Sequence, residues 1–309
     1  MTRRIALAAG LGLLFAAAFL FGAFAADPLR AVRKAGEAVF RASSGHEERY
    51  AARDGTPLHA FVLGPLSAER PVVLLHGLGA DAGYWAATAR FLAARGRTVI
   101  VPDAPGSGAS GTPGSPEGLA LPARVAAVES MATALGLSSF DLVGHSLGGL
   151  TAGLYALEHP RRVRRLVLVD AAGFSRFDAA EDERLHALGA PRDRAEARRL
   201  VDLLFVRKPL PAFGAVADAL ARNYLSANVR TTVEVAGRAD LLLGREGELP
   251  EGTALIWGRE ETFLPLPDAR AAVGRIRGGR LFVVTGVGHD TPLEAPRAFQ
   301  EALLKALGG

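Results

Sequence analysis

Residues 140–149 read FDLVGHSLGG, and this stretch decides the fold. A short apolar run at Leu142 and Val143 predicts a strand, which meets the pattern Gly-x-Ser-x-Gly around Ser146. On a sharp strand-to-helix turn, the positions two before and two after the serine are crowded, so glycine is favoured there. Ser146 would then lie at a helix N-terminus, which favours negative charge. Because the chain holds 36 glycines, this interpretation depends on partners downstream.

Short apolar runs alternate with helical patterns on both sides of that stretch. The remaining predicted strands are Glu48–Arg53, Pro57–Leu63, Val72–Leu75, Thr98–Val101, Leu166–Val169, Thr253–Trp257 and Arg280–Val284. The predicted helices include Tyr84–Ala94, Leu119–Leu135 and Pro292–Leu307. This alternation predicts an α/β fold with a doubly wound, mostly parallel sheet of about eight strands. Residues 46–172 and 251–309 would form this core, and the strand-free residues 173–250 a helical cap over the carboxyl edge of the sheet.

A charge-free apolar segment, Ile5–Ala26, precedes the domain. As a helix it would be about 33 Å long, enough to cross a bilayer. We therefore predict a hydrophobic helix in residues 1–26 that anchors the protein to a membrane as a single-pass signal anchor. The alternative is a signal peptide cleaved near Ala25, with export to the periplasm or secretion.

Residues 27–45 form a basic amphipathic segment. Apolar residues recur at about helical spacing, and Arg30, Arg33, Lys34 and Arg41 lie between them. Two interpretations stand: a juxtamembrane helix at the membrane surface, or an ordinary helix packed on the domain. The basic residues on both sides of the apolar segment leave its orientation in the membrane open.

The composition excludes several classes of protein. Hydrophobic residues make up 49% and charged residues 22%, as in a globular protein. The net charge of +4 is dispersed along the chain, so nucleic-acid binding is not expected. The chain has no cysteine, which excludes disulfides, thiol catalysis and Cys-based zinc sites. We expect no metal and no cofactor, and no feature of the sequence predicts an oligomeric state.

Two candidate partners of Ser146 follow the last two predicted strands. Glu261 comes just after Thr253–Trp257, and His289 just after Arg280–Val284. Because the carboxyl ends of parallel strands meet at one edge of the sheet, the three side chains can converge. Their chain order, serine, acid, histidine, is typical of a catalytic triad at such an edge.

Five motifs in order resemble the α/β-hydrolase family over about residues 46–309. They are His76–Gly79 as an oxyanion loop, Asp103–Ser110 as the D-x-P-G-x-G-x-S loop, Gly144–Gly149 as the nucleophile elbow, Trp257–Glu261 with Pro265 as the acid loop, and Gly286–His289 with Leu293–Pro296 as the histidine loop. One departure is that Glu261 stands where the family more often has Asp. The apolar segment, cap and catalytic domain together are similar to monoacylglycerol lipases and related bacterial lipases.

The resemblance implies a role for each candidate. Ser146 would be the nucleophile, His289 the base, and Glu261 the acid that fixes the histidine tautomer. Glu260 and Asp170 are alternative acids. The backbone N–H groups of Leu78 and Leu147 would form the oxyanion hole, while His76, His145 and Asp103 are expected to hold loops together.

These roles predict a serine hydrolase that cleaves small-molecule carboxylic esters, with lipid-like esters favoured by the apolar anchor and cap. Four alternatives share the scaffold: an aminopeptidase, a carbon–carbon hydrolase, a cofactor-free haloperoxidase and a non-catalytic binding protein.

Overall fold

The computed structural model describes residues 27–66, 70–175, 191–208, 213–236 and 241–308. The predicted anchor at 1–26 lies outside these ranges, as do three parts of the predicted cap, 176–190, 209–212 and 237–240. Within the described ranges, no helix has the length and apolar character needed to cross a membrane.

Eight strands form one sheet, and most of them are parallel. They are β1 His46–Ala51, β2 Pro57–Leu63, β3 Val72–Leu75, β4 Val99–Asp103, β5 Phe140–His145, β6 Val163–Val169, β7 Ala254–Gly258 and β8 Arg280–Val284. Their order across the sheet is β1-β2-β4-β3-β5-β6-β7-β8. β2 is antiparallel to β1 and β4, and all other pairs are parallel. The predicted fold class is therefore confirmed.

Helices cover both faces of the sheet. They are α1 Pro28–Ala42, α2 Ala86–Ala93, α3 Leu121–Ala134, α4 Leu147–Glu158, α5 Arg194–Leu204, α6 Phe213–Tyr224, α7 Ala227–Glu234, α8 Leu266–Val273, α9 Thr291–Glu294 and α10 Pro296–Ala306. Short 3₁₀ helices span Ala82–Trp85, Pro116–Leu119 and Glu246–Glu248. Successive strand residues point to opposite faces of the sheet and pack in two hydrophobic cores. Leu142 packs in the core under α3 and α4, and Val143 packs in the core under α2 and α10.

The helix α1 packs against the domain. Phe40 is fully buried, and its ring stacks on that of Phe61 with centroids 4.3 Å apart. At Gly36, a Cβ would lie 3.0 Å from Cα of Gly83, so α1 closely approaches the 3₁₀ helix Ala82–Trp85. These contacts agree with the domain-packed interpretation of residues 27–45, and a membrane-surface role for them stays a prediction.

The predicted closing helix Pro292–Leu307 is wrong in one respect, because it is two helices. α9 ends at Glu294, and α10 begins at Pro296. A proline disfavours the helical conformation of the residue before it and has no N–H of its own. Ala295 accordingly has φ −138° and ψ 64°, which turns the chain between the two helices.

Candidate active site

The turn between β5 and α4 carries Ser146 in a strained conformation, with φ 54° and ψ −121°. A Cβ at Gly144 would overlap the carbonyl oxygen of Gly148, and a Cβ at Gly148 would lie 2.5 Å from that of His76. The backbone N–H of Ser146 donates to Val169 at 3.0 Å. Two glycines and the neighbouring strand therefore hold the turn that presents the serine.

Three side chains from three strand ends meet at this turn. The His289 Nε2 atom lies 2.9 Å from Ser146 Oγ, and its Nδ1 atom lies 2.5 Å from Glu261 Oε2. The other carboxylate oxygen of Glu261 accepts hydrogen bonds from the backbone N–H groups of Phe263, at 2.5 Å, and Leu264, at 3.0 Å. The loop thus accommodates the longer glutamate side chain and fixes its direction toward the ring.

The charge state of His289 follows from its neighbours. Burial acts to lower the pKa of this imidazole, but the Glu261 carboxylate opposes it. With smaller contributions from Asp290 and Asp170, the net result raises the pKa of His289 to about 9. The imidazolium is therefore the stabilised form, as a base needs after it accepts a proton.

The other two candidate acids contact backbone groups instead of this ring. Asp170, fully buried at φ 40°, accepts from the N–H of Gly258 at 2.8 Å. Burial, and then the charge of Glu261, raise the pKa of Asp170 well above its usual value. Glu260 accepts from the N–H groups of Gly286, at 2.8 Å, and Val287, at 3.1 Å, so it supports the histidine loop.

The candidate donors to an anionic oxygen are the backbone N–H groups of Leu78 and Leu147. Leu147 is the first residue of α4, and Leu78 follows β3. Neither N–H has a backbone acceptor among the described residues. His76 orders the loop that carries Leu78, because its Nδ1 donates to the carbonyl of Gly77 at 2.9 Å and its Nε2 accepts from the N–H of Ala104 at 3.1 Å.

His145 and Asp103 hold loops together, as expected. The His145 Nε2 atom donates to the carbonyl oxygen of His289 at 2.9 Å, and burial keeps the pKa of His145 well below its ordinary value. The Asp103 carboxylate accepts from the Nδ1 of His59 at 2.8 Å and from the N–H groups of Ala82 and Ala109. A neutral ring and a buried carboxylate thus stabilise the surroundings of the site.

A family model described as the alpha/beta hydrolase fold matches residues 70–296. The chain belongs to the α/β-hydrolase family. The 2-hydroxymuconate semialdehyde hydrolase of Pseudomonas putida is 33% identical over 244 residues, which cover 74% of this chain and 84% of that protein. The monoacylglycerol lipase abhd6-A of Xenopus laevis is 26% identical over 245 residues, covering 73% of this chain and 72% of that protein.

Two further similarities complete the comparison. The chain is 29% identical over 248 residues to the dihydrolipoyllysine-residue acetyltransferase component of the acetoin cleaving system of Cupriavidus necator. That match covers 77% of this chain and 63% of that protein. Among solved structures, a bacterial membrane phospholipase A aligns over 100% of both chains, with a TM-score of 0.75 and 24% identity. This last similarity shows a shared fold.

In this α/β-hydrolase, the helix α6 is hydrogen-bonded to the candidate oxyanion loop, His76–Gly79. From the end of α6, the Asn223 side-chain amide donates to the carbonyl of Gly79 at 2.6 Å, and the Tyr224 hydroxyl donates to that of Leu78 at 3.4 Å. No sequence motif points to these two residues. Their position at the end of an amphipathic helix gives no signal of which loop they reach.

The end of α5 and the residues after it are hydrogen-bonded to the histidine loop. The N–H of His289 donates to the carbonyl of Leu204, the last residue of α5, at 3.1 Å. Glu294 accepts from the N–H of Gly288 at 2.8 Å and from that of Arg207 at 2.5 Å, so one carboxylate joins the two chain segments. Glu294 belongs to the predicted histidine loop, but its role as this link depends on three-dimensional contacts.

A cavity of about 890 Å³ adjoins the candidate oxyanion hole. It lies between α1, α6, α7 and the loops after β3 and β4, and Leu78 forms part of its wall. The apolar residues Phe205, Phe213 and Val216 line it together with the buried cation Arg124. The described residues contain no group of three His, Asp or Glu side chains that could hold a metal ion.

Proposed function

We propose that this α/β-hydrolase cleaves carboxylic esters through a covalent acyl-enzyme on Ser146. The observation that carries the proposal is the hydrogen-bonded series from Ser146 Oγ through His289 to Glu261. A serine hydroxyl is a weak nucleophile until a base takes its proton, and an oriented histidine beside it supplies that base.

The proposed chemistry has two halves. In the first, His289 Nε2 takes the Ser146 proton as Oγ attacks the ester carbonyl, and the N–H groups of Leu78 and Leu147 bind the resulting oxyanion. The C–O bond then breaks, and His289 gives its proton to the leaving alkoxide. In the second, water attacks the acyl-enzyme by the same route and releases the carboxylic acid and free Ser146.

The substrate we favour is a lipid-like ester. The apolar side chains of Phe205, Phe213 and Val216 line the cavity whose wall includes Leu78, and burial of an acyl chain against them would contribute to binding. The similarity to a monoacylglycerol lipase supports this choice.

Carbon–carbon hydrolysis is the second candidate, because a relative 33% identical to this chain is named as a 2-hydroxymuconate semialdehyde hydrolase. The same serine, histidine and oxyanion donors would serve an attack on a ketone carbonyl. The two candidates differ in the bond that breaks, so a direct comparison of substrates separates them.

Membrane attachment by residues 1–26 is a separate proposal, based on the charge-free run Ile5–Ala26. We expect the full chain to fractionate with membranes and to be released by detergent, not by high salt. A mature protein whose first residue is Ala26 would instead establish a cleaved signal peptide.

The test of the function compares the wild type with Ser146→Ala. The wild type should hydrolyse 4-nitrophenyl esters and react with a fluorophosphonate probe, and the variant should do neither while it keeps the thermal unfolding midpoint of the wild type. Turnover of a 2-hydroxymuconate semialdehyde far above that of any ester would favour carbon–carbon hydrolysis. Undiminished probe labelling of Ser146→Ala would contradict the assignment of the nucleophile.

A further inference from the structure

Arg124 is a buried cation in the wall of the large cavity. It lies on α3 in line with Leu121, Val125 and Val128, on the apolar face that packs against the sheet. Only 6% of the residue is exposed, and the cavity adjoins it. Arginine is almost never buried unless a negative charge pairs with it, so its position needs an explanation.

The contacts of Arg124 leave its charge uncompensated. Its Nε donates to the carbonyl of Leu119 at 3.2 Å, and its Nη2 donates to the hydroxyl of Thr232 on α7 at 3.3 Å. Both acceptors are neutral, and no carboxylate of the described residues forms an ion pair with Arg124. Burial lowers the pKa of this guanidinium to about 10, with no acid to offset it. Arg124 is therefore still a cation at neutral pH.

The charged side chains that line the cavity differ in their exposure to solvent. The other cations in its wall, Arg30, Arg33 and Arg222, are more exposed to solvent, so water screens them. The acid Asp81 also lines the cavity, but its carboxylate accepts from the N–H of Gly83 at 2.8 Å at the start of a 3₁₀ helix. Among the described residues of the wall, Arg124 is the cation that is shielded from water.

We propose that Arg124 binds an anionic oxygen group, a carboxylate or a phosphate, carried by the substrate at a distance from the ester bond. This inference rests on the proposed ester hydrolysis. The guanidinium has a planar set of donors that matches both groups, and two of its N–H donors are already used for positioning. Leu78, whose backbone N–H is a candidate oxyanion donor, lines the same cavity as Arg124, so we place both ends of the substrate in this cavity.

The experiment uses the full chain and pairs of esters that differ only at the far end. One member of each pair is the mono-4-nitrophenyl ester of adipic, suberic or sebacic acid, and the other is the same compound with its free carboxylate methylated. The measured quantity is the ratio of kcat/KM for the acid to kcat/KM for its methyl ester. We expect the wild type to prefer the acid at one chain length at least ten-fold, and Arg124→Gln to lose that preference.

Two further variants separate binding from folding. Arg124→Lys keeps the charge and should retain part of the preference, whereas a purely structural role would move kcat/KM for both esters of a pair together and leave their ratio unchanged. Arg222→Gln removes an exposed cation from the same cavity wall and should change the ratio less than two-fold. An equal loss in Arg222→Gln and Arg124→Gln would show general attraction of anions and overturn the site.

A second pair distinguishes the source of the anion. Dioctanoyl phosphatidic acid and dioctanoylglycerol differ by a phosphate, so a preference for the first that Arg124→Gln abolishes identifies a phosphate ligand. If the wild type hydrolyses the methyl esters but shows no preference in any pair, the inference about Arg124 fails and the ester hydrolase stands. If the wild type hydrolyses no ester at all, the proposed function is wrong, and the inference about Arg124 that rests on it is wrong as well.

Discussion

The ends of β6 and β7 each bring a buried acid toward His289, yet the two acids have different surroundings. After β7, Glu261 accepts three hydrogen bonds, one from the His289 ring and two from backbone N–H groups. After β6, Asp170 accepts one from Gly258, and its Oδ2 has no hydrogen-bond partner within the described residues. Hydrogen bonds to a carboxylate favour its charged form, and burial without them favours the protonated form.

This difference explains how two acids can lie so near one histidine. Two adjacent carboxylates would repel each other strongly in a dry site. Burial and the charge of Glu261 raise the pKa of Asp170 well above the ordinary range, which favours its protonated form. We infer that Glu261 supplies the negative charge that His289 needs, and that Asp170 supports the backbone of β7.

The largest effect should come from Glu261→Gln. It removes the charge that stabilises the imidazolium and disturbs the tautomer of His289, so we expect kcat to fall by about 10³ to 10⁴-fold. The measurement is steady-state hydrolysis of a 4-nitrophenyl ester. Glu251→Gln is the matched control, since that side chain is exposed and pairs only with Arg277 among the described residues. A loss below ten-fold in Glu261→Gln would show that the acid is elsewhere.

The pH profile tests the same charge. His289 must be neutral to accept the Ser146 proton, and its pKa of about 9 keeps it protonated at pH 7. We therefore expect kcat/KM to rise about 50-fold between pH 7 and pH 9. In the residual activity of Glu261→Gln, this rise of kcat/KM with pH should occur at lower pH. A wild-type limb centred below pH 7 would contradict the assigned environment.

A smaller effect is expected at Glu260, the neighbour of Glu261. Its carboxylate accepts from Gly286 and Val287, so Glu260→Ala should loosen the histidine loop without removing the charge beside the ring. We expect kcat/KM to fall roughly ten-fold through misplacement of His289. The pH limb should stay near that of the wild type. If Glu260→Ala shifts the pH limb as far as Glu261→Gln does, Glu260 also contributes to the charge beside His289, and the separate roles assigned to the two residues are wrong.

The smallest effect should come from Asp170→Asn. Because burial and the charge of Glu261 favour the protonated form of Asp170, an amide of the same shape should disturb the site little, and we expect kcat to change less than about three-fold. Asp170→Ala leaves the N–H of Gly258 without its acceptor and should lower the free energy of unfolding by about 1–3 kcal/mol in urea titrations. If Asp170→Asn is as inactive as Glu261→Gln, the two acids share the role and the comparison fails.

The sequence predicted the sheet because its strands carry strong local signals. The bounds of β2 and β8 match the predicted Pro57–Leu63 and Arg280–Val284, since both runs are mostly apolar and are bounded by turn residues. The predicted closing helix is a pair of helices because Pro296 disfavours the helical conformation of Ala295. Ser146, His289 and Glu261 could be placed at one edge from strand ends alone.

The sequence alone does not show which acid contacts His289, or which loops the helices of residues 191–236 contact. Asp170 and Glu261 both follow strands, and only the path of the loop after β7 brings the longer side chain to the ring. The side-chain amide of Asn223 donates to the backbone carbonyl of Gly79, and the backbone carbonyl of Leu204 accepts from His289. Neither partner can be read from the sequence near Asn223 or Leu204. Arg124 did leave a signal, a charge on the apolar face of α3, but its place beside a cavity required the structure.

The most direct test of the account is identification of the residue that a fluorophosphonate modifies. The wild-type chain, Glu261→Gln and Asp170→Asn would each be labelled for a series of times and digested, and the modified peptide sequenced by mass spectrometry. We expect one adduct on Ser146, formed at nearly the wild-type rate in Asp170→Asn and at least 100-fold more slowly in Glu261→Gln. An adduct on another residue, or equal rates in all three proteins, would contradict it.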